Sequence, residues 1–424
     1  MKTLGPLRSC LLLFAAMFLA GQILAEEALV AEEQTPKLRF SGIPALGFGS
    51  DNGFGGGVIG NMYVDEEGYS PYQTSLGLKV YLTTRMVHSH ALSLDRVRAF
   101  NLPWRLMGRV GFYSTPTQNY CGQGSEANCD EERAKIEADK LFAAGGERDE
   151  FIRRYYQNRY MFFFGELYSR WLLWQGSAKL EFMTSYRGHY YLNRDFSAAG
   201  PYANSLYDRD YKNTKIDGYL STLELGLMLD ARDNEPAPTE GYWLESSVRG
   251  GASFIGSSWD YVAANIAARF YFPLDDNHRL VIASQTIVDS IFGDLPFDAM
   301  SRIGGSQAKD DFNAIGGQYI GRGIREQLYV GKFKAIEQLE FRYTFWSFNL
   351  WKQNFDMTAA VLADAAMTAR DFTRFSKDMQ SVQLGFGTGL RLHWNKTFII
   401  RADLGSSPSE NFTPRLYLLV GNVF

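Results

Sequence analysis

From about residue 38 to its end the chain alternates apolar and polar side chains at a period of two. Val382, Leu384, Phe386, Thr388, Leu390, Leu392 and Trp394 interleave with Gln383, Gly385, Gly387, Gly389, Arg391 and His393. Such a strand offers one face to hydrocarbon and the other to water. The pattern predicts sixteen strands, starting near residues 38, 53, 72, 87, 104, 158, 177, 216, 241, 258, 278, 332, 355, 380, 396 and 412. A soluble sandwich could alternate too. It would not need so many consecutive strands with aromatic ends, whereas a bilayer-spanning barrel does. The last predicted strand, Arg415 to Phe424, itself ends on an aromatic. The expected fold is therefore all-β, a transmembrane antiparallel β-barrel.

An even strand count with both ends periplasmic puts the loops after odd strands outside, where long loops belong. The two longest connections, about 115–157 and 291–331, become the third and sixth outside loops. The stretch around 191–215 reads as a longish inside connection, or as a slip in the strand count. Helical spacing over Glu131 to Ala144 and Glu147 to Gln157 predicts short helices in the third loop. Cys121 and Cys129 share one polar segment there. A disulfide is expected between them, two free thiols being the alternative.

Met1 to Ala25 has Lys2 and Arg8 at its start, an apolar run from Leu11 to Ala20 and a small residue at Ala25. These mark residues 1–25 as a signal peptide, followed by a short periplasmic leader over 26–37 and the barrel over 38–424. No later run is long and apolar enough for a membrane-spanning helix. An exported chain with 15% aromatic residues and 41 glycines points to the outer membrane of a diderm bacterium. A net charge of -4 with no basic stripe gives no sign of nucleic acid. His88 and His90 stand two apart, a candidate metal pair, but no carboxylate or Cys joins them at ligand spacing. Neither metal nor cofactor is expected. No GxSxG stands near His189, His278 or His393, so the chain does not read as an enzyme.

Three segments carry more than alternation. Asp230, Arg232, Asp233 and Asn234 precede Pro238 and Gly241, a charged strand end running into a tight turn. Arg322 and Gly323 lie in the sixth loop, preceded by Gly304, Gly305, Gly316 and Gly317. Glycines there let the backbone approach a wall and present the guanidinium. By strand parity Glu340, Arg342 and Asp364 face inward, as do Glu224, Arg232, Arg391, Arg401 and Asp403. In this order, with the Gly385–Arg391 run, Arg401 to Asp403, the glycine-rich first hairpin (Pro44 to Phe48, Gly53 to Gly57) and the closing Gly421 to Phe424, these motifs resemble the bacterial surface antigen family of outer-membrane barrels. That family is the BamA/TamA-like insertase and translocase superfamily.

The resemblance implies a sixth loop folded into the barrel, with its Arg docked on an acidic residue of the inner wall: Arg322 on Asp364, with Glu340 and Arg342 nearby. Arg325 is a second candidate. Ile324 stands where the family has an aromatic, and Asp364-Ala365-Ala366 replaces its Asp-x-Gly. The leader is too short for a POTRA module. The implied function is assembly or passage of protein, or lipid, at the outer membrane, through a weak seam between first and last strands. The alternative is a passive or gated pore, or a structural barrel, without client handling. Expected partners are outer-membrane lipid, client outer-membrane or secreted proteins, and a separate periplasmic subunit.

Overall fold

The computed structural model describes residues 37–50, 52–69, 72–124, 127–193, 203–306, 315–350, 353–374, 382–394 and 398–424. The signal peptide and nearly all of the leader lie outside them. Sixteen antiparallel strands form a closed barrel, each paired with its sequence neighbours and β1 with β16. They are Lys37–Gly49 (β1), Gly53–Asp65 (β2), Thr74–Thr83 (β3), His88–Arg96 (β4), Trp104–Asn119 (β5), Gln157–Gln175 (β6), Lys179–Leu192 (β7) and Gly218–Asp230 (β8). Gly241–Gly251 (β9), Tyr261–Pro273 (β10), Leu280–Gly293 (β11), Phe333–Leu350 (β12), Gln353–Ala369 (β13), Gln383–Trp394 (β14), Phe398–Ser406 (β15) and Arg415–Val420 (β16) complete it.

Alternation sorts the two faces. On β8, Leu223, Leu225 and Leu227 are 49%, 57% and 47% exposed, while Glu224 between them is 1% exposed. The exposed row would be costly in water and is at home in hydrocarbon. At the inner strand ends Trp104 stacks on Trp171 at 4.5 Å, and Phe355 packs beside Trp394, an aromatic girdle at the interface. No described helix is long and apolar enough to cross a membrane.

The third loop carries helices Glu131–Leu141 (α1) and Gly146–Arg154 (α2), and Cys121 is bonded to Cys129 with Cα atoms 4.9 Å apart. Asp130 caps α1 by accepting from the Glu132 N–H. The connection after β7 is not an inside turn. It follows an odd strand and holds a helix, Leu206–Tyr211 (α3), capped by Ser205. Tyr207 and Tyr211 of α3 pack on Tyr120 of the third loop and on Phe297 of the sixth, so all three loops share the outer end. Phe297–Met300 (α4) opens the sixth loop.

The last strand is also shorter than expected. β16 stops at Val420, and Gly421 turns the chain with a left-handed φ of +92°. Val423 and Phe424 then pack inside the lumen against Tyr271, Val281 and Ala283. Arg342 donates to the Phe424 main-chain oxygen at 3.1 Å and lies over its ring. The aromatic end of the chain gains a buried pocket there instead of a place in the wall.

Candidate functional site

The sixth loop enters the lumen, and apolar packing holds its second limb. Ile315, Ile320, Ile324 and Leu328 share one buried cluster with the inward residues Ala267, Ile287, Ile336 and Ala366. Four glycines, 316, 317, 321 and 323, take positive φ and let the chain fold tightly on itself. Gly323 is a requirement of contact as well. A Cβ there would stand 2.4 Å from Ser406 N, and one on Gly385 would stand 2.3 Å from Arg322 O. Loop backbone therefore lies directly on strand backbone at β14 and β15.

That approach delivers Arg322 to the wall. Its Nε and Nη2 donate to Asp364 at 3.0 and 2.7 Å, and its main-chain N–H donates to the same carboxylate at 2.8 Å. Nη1 donates to Glu340. The fork matches the carboxylate on two atoms, the geometry that makes arginine specific. Arg322 is 1% exposed. Glu340 also accepts from Arg342 at 2.7 Å and lies 3.3 Å from Arg391, which donates to Asp403 at 2.5 Å. Arg325 points elsewhere, 3.5 Å from Glu410, with its side chain 37% exposed. Two further holds escaped the motif reading. Gln338 donates to the Tyr319 carbonyl at 2.8 Å and Arg401 to the Gln318 carbonyl at 3.2 Å. Gln338 shares the inward parity of Glu340, so its facing was readable but its partner was not.

The Asp230–Gly241 motif builds a turn. Arg232 donates to Asp230 at 2.8 and 2.9 Å and lies 4.1 Å over the Trp243 ring. Asp233 accepts from the Thr239 and Glu240 N–H groups, and Asn234 from that of Ala237. Gly241 has φ +101°, and a Cβ would meet the Ala231 carbonyl at 2.1 Å. Pro238 lines the inner mouth beside it. His88 and His90 pair with Leu82 and Val80, two positions of the outward row. Their rings touch each other, His90 Nε2 to His88 Nδ1 at 3.4 Å. No cluster of three metal-ligating groups occurs among the described residues.

The seam lies between β1 and β16. Among the described residues only Phe48↔Leu418 and Gly49↔Tyr417 are in register there, whereas β1 pairs with β2 along its whole length, Lys37↔Asp65 to Gly49↔Gly53. The two strands part from residue 47 toward the inner end. Pro44, a residue that ladders tolerate at an edge, sits in the free stretch. A cavity of about 340 Å³ opens behind the seam, lined by Ala45, Gly47, Ile59, Tyr81, Tyr319 and Leu418. Tyr81 occupies the space that side chains on Gly47 and Gly55 would fill, its hydroxyl 2.6 and 1.9 Å from their would-be Cβ atoms. The glycine-rich first hairpin thus seats a tyrosine.

A closed sixteen-stranded barrel, a sixth loop laid inside it and a seam of two registered pairs define a transmembrane β-barrel of the outer-membrane type. The Omp85 superfamily domain matches residues 121–407, and the chain belongs to that superfamily. Its fold is similar to that of BamA from Haemophilus ducreyi lacking POTRA domains 1-3, with a TM-score of 0.53 at 14% identity over 92% of this chain and 70% of that one. It is also similar to CdiB from Escherichia coli, with a TM-score of 0.53 at 12% identity over 92% of this chain and 64% of that one. The chain thus spans less than two thirds of that CdiB chain. At these identities the likeness is one of fold. No match was found among curated proteins. The protein is an outer-membrane barrel of a diderm bacterium.

Proposed function

We propose that this barrel admits a client β-strand at the β1–β16 seam, acting in the insertion or passage of protein at the outer membrane. The observation that carries the reading is the two-residue register at that seam. Along Lys37–Gly47 the β1 edge meets no partner strand among the described residues. Unpaired backbone facing hydrocarbon is costly, so an incoming strand that pairs with it gains its full hydrogen-bond ladder. In this reading Arg322, docked on Asp364 and Glu340, keeps the sixth loop in one orientation while the seam opens. A separate periplasmic subunit would deliver the client.

The test is a lock. Gly49→Cys with Tyr417→Cys places thiols on register partners, within disulfide reach. Proteoliposomes containing the unlocked protein should speed folding of a second, urea-denatured barrel, and oxidation of the pair should abolish the gain until reductant is added. Equal rates in the locked and open forms would overturn the proposal.

A further inference from the structure

Arg322 holds only the second limb of the sixth loop. The first limb, after α4, reaches another sector of the wall. Three successive main-chain N–H groups donate there to three carboxylates from three strands: Gly304 to Asp289 of β11 at 3.1 Å, Gly305 to Glu224 of β8 at 2.6 Å, and Ser306 to Glu245 of β9 at 2.5 Å. All three acids are buried. Arg249 donates twice to Asp289, at 2.7 and 3.0 Å, and Arg187 to Glu224 at 2.9 Å, while Lys334 lies 3.6 Å from Asp289. The loop amides add donors to carboxylates that burial would otherwise make costly.

The glycines are a condition of this fit. A Cβ on Gly304 would stand 2.2 Å from Arg249 Nη1. One on Gly305, where φ is +76°, would stand 1.8 Å from the Glu245 carboxylate. The three anchoring bonds run from main-chain amides, with the Ser306 side chain also bonding Glu245, so an arginine search cannot find them.

We infer that Glu224, Glu245 and Asp289 form a second docking site for the sixth loop, which captures the Gly304–Ser306 main chain and holds the first limb independently of Arg322. The two sites share no residue. Loss of the arginine therefore loosens the second limb, leaving it only its apolar packing and the Gln338 and Arg401 bonds, and leaves the first seated, and full clearance of the lumen requires both to let go. This holds whatever passes through the barrel.

Thiol labelling of the folded, full-length protein in detergent tests it, with the Cys121–Cys129 bond kept oxidised. Ser301→Cys reports on the first limb and Ile320→Cys on the second; both positions are at most 1% exposed. Arg322→Ala should raise labelling at Ile320→Cys roughly tenfold and leave Ser301→Cys within about twofold. Gly305→Val should do the reverse. Arg322→Ala exposing both reporters alike would overturn the inference, as would Gly305→Val leaving Ser301→Cys protected. Should Gly305→Val fail to fold, Glu245→Gln takes its place: labelling gained at Ser301→Cys alone supports the second site, and continued protection there overturns it.

Discussion

The barrel has a heavy side and a light side. β6, β12 and β13 run to 19, 18 and 17 residues, whereas β16 has 6. β12 and β13 stay paired from Phe333↔Ala369 to Leu350↔Gln353 with one bulge, while β1 and β16 meet at two positions. Inward charge is distributed the same way. Glu340, Asp364 and Asp403 project from β12, β13 and β15 and hold Arg322, while Arg391 of β14 pairs with Glu340 and Asp403. The seam has an aromatic wedge, Tyr81, in place of such a network. A closed wall has no edge, and its strength is spread around the circle. Here strength is concentrated where the loop docks and withheld where the ends meet.

The largest expected consequence is in hydrogen exchange. Amides of Phe48, Gly49, Tyr417 and Leu418 should exchange faster than those of Leu339 to Phe341 by roughly 100-fold or more, since about 3 kcal/mol in local opening is enough for that ratio. Equal protection would erase the distinction between the two sides.

Next comes the arginine. Arg322→Ala removes the only cation paired with Asp364 among the described residues and one of three on Glu340, which keeps Arg342 and Arg391, a loss of about 3–5 kcal/mol by comparison with other broken buried pairs. Urea unfolding followed by the gel-mobility shift of the folded barrel would measure it. The same change should leave exchange at the seam unaltered, since the two regions carry separate loads. Gly323→Ala should cost less, about 1–3 kcal/mol, for a left-handed backbone carrying a side chain against Ser406. A neutral result would mean that the loop does not lie on the strand backbone.

Legibility followed the physics of each region. Strand faces were readable because lipid and lumen impose opposite demands on alternate residues, and β8 and β12 show this most clearly. The meeting of Arg322 with Asp364 was readable only through the order of several motifs along the chain. Phe424 was misplaced because Leu416 to Phe424 continues to alternate plausibly, while the pocket of Tyr271, Val281 and Ala283 is built on the β10–β11 hairpin, far from Phe424 along the chain. α3 has 6 residues, too few for a periodic signal. Gly304 and Gly305 stood out only as glycines ahead of the arginine, and their own partners were hidden because the bonds run from main-chain amides to acids on β11 and β8.

The smallest expected effect belongs to the outer end and separates it from both sides of the wall. Asp298 of α4 is 2% exposed and accepts from Asn193 at 2.5 Å. Burial pushes its carboxyl up to about 7, from an ordinary 3.8. A group raised in this way favours the folded loop while it stays protonated, and that contribution fades as pH rises from about 4 through 7. The packing of Phe297 against Tyr120 and Tyr207 should therefore loosen on the alkaline side. Limited proteolysis of the outer loops should be faster at pH 8 than at pH 5.5, after correction for protease activity. Asp298→Asn should flatten that dependence, while seam exchange, corrected for its intrinsic pH dependence, stays the same. A slope that survives the substitution would place the titrating group elsewhere in the loops.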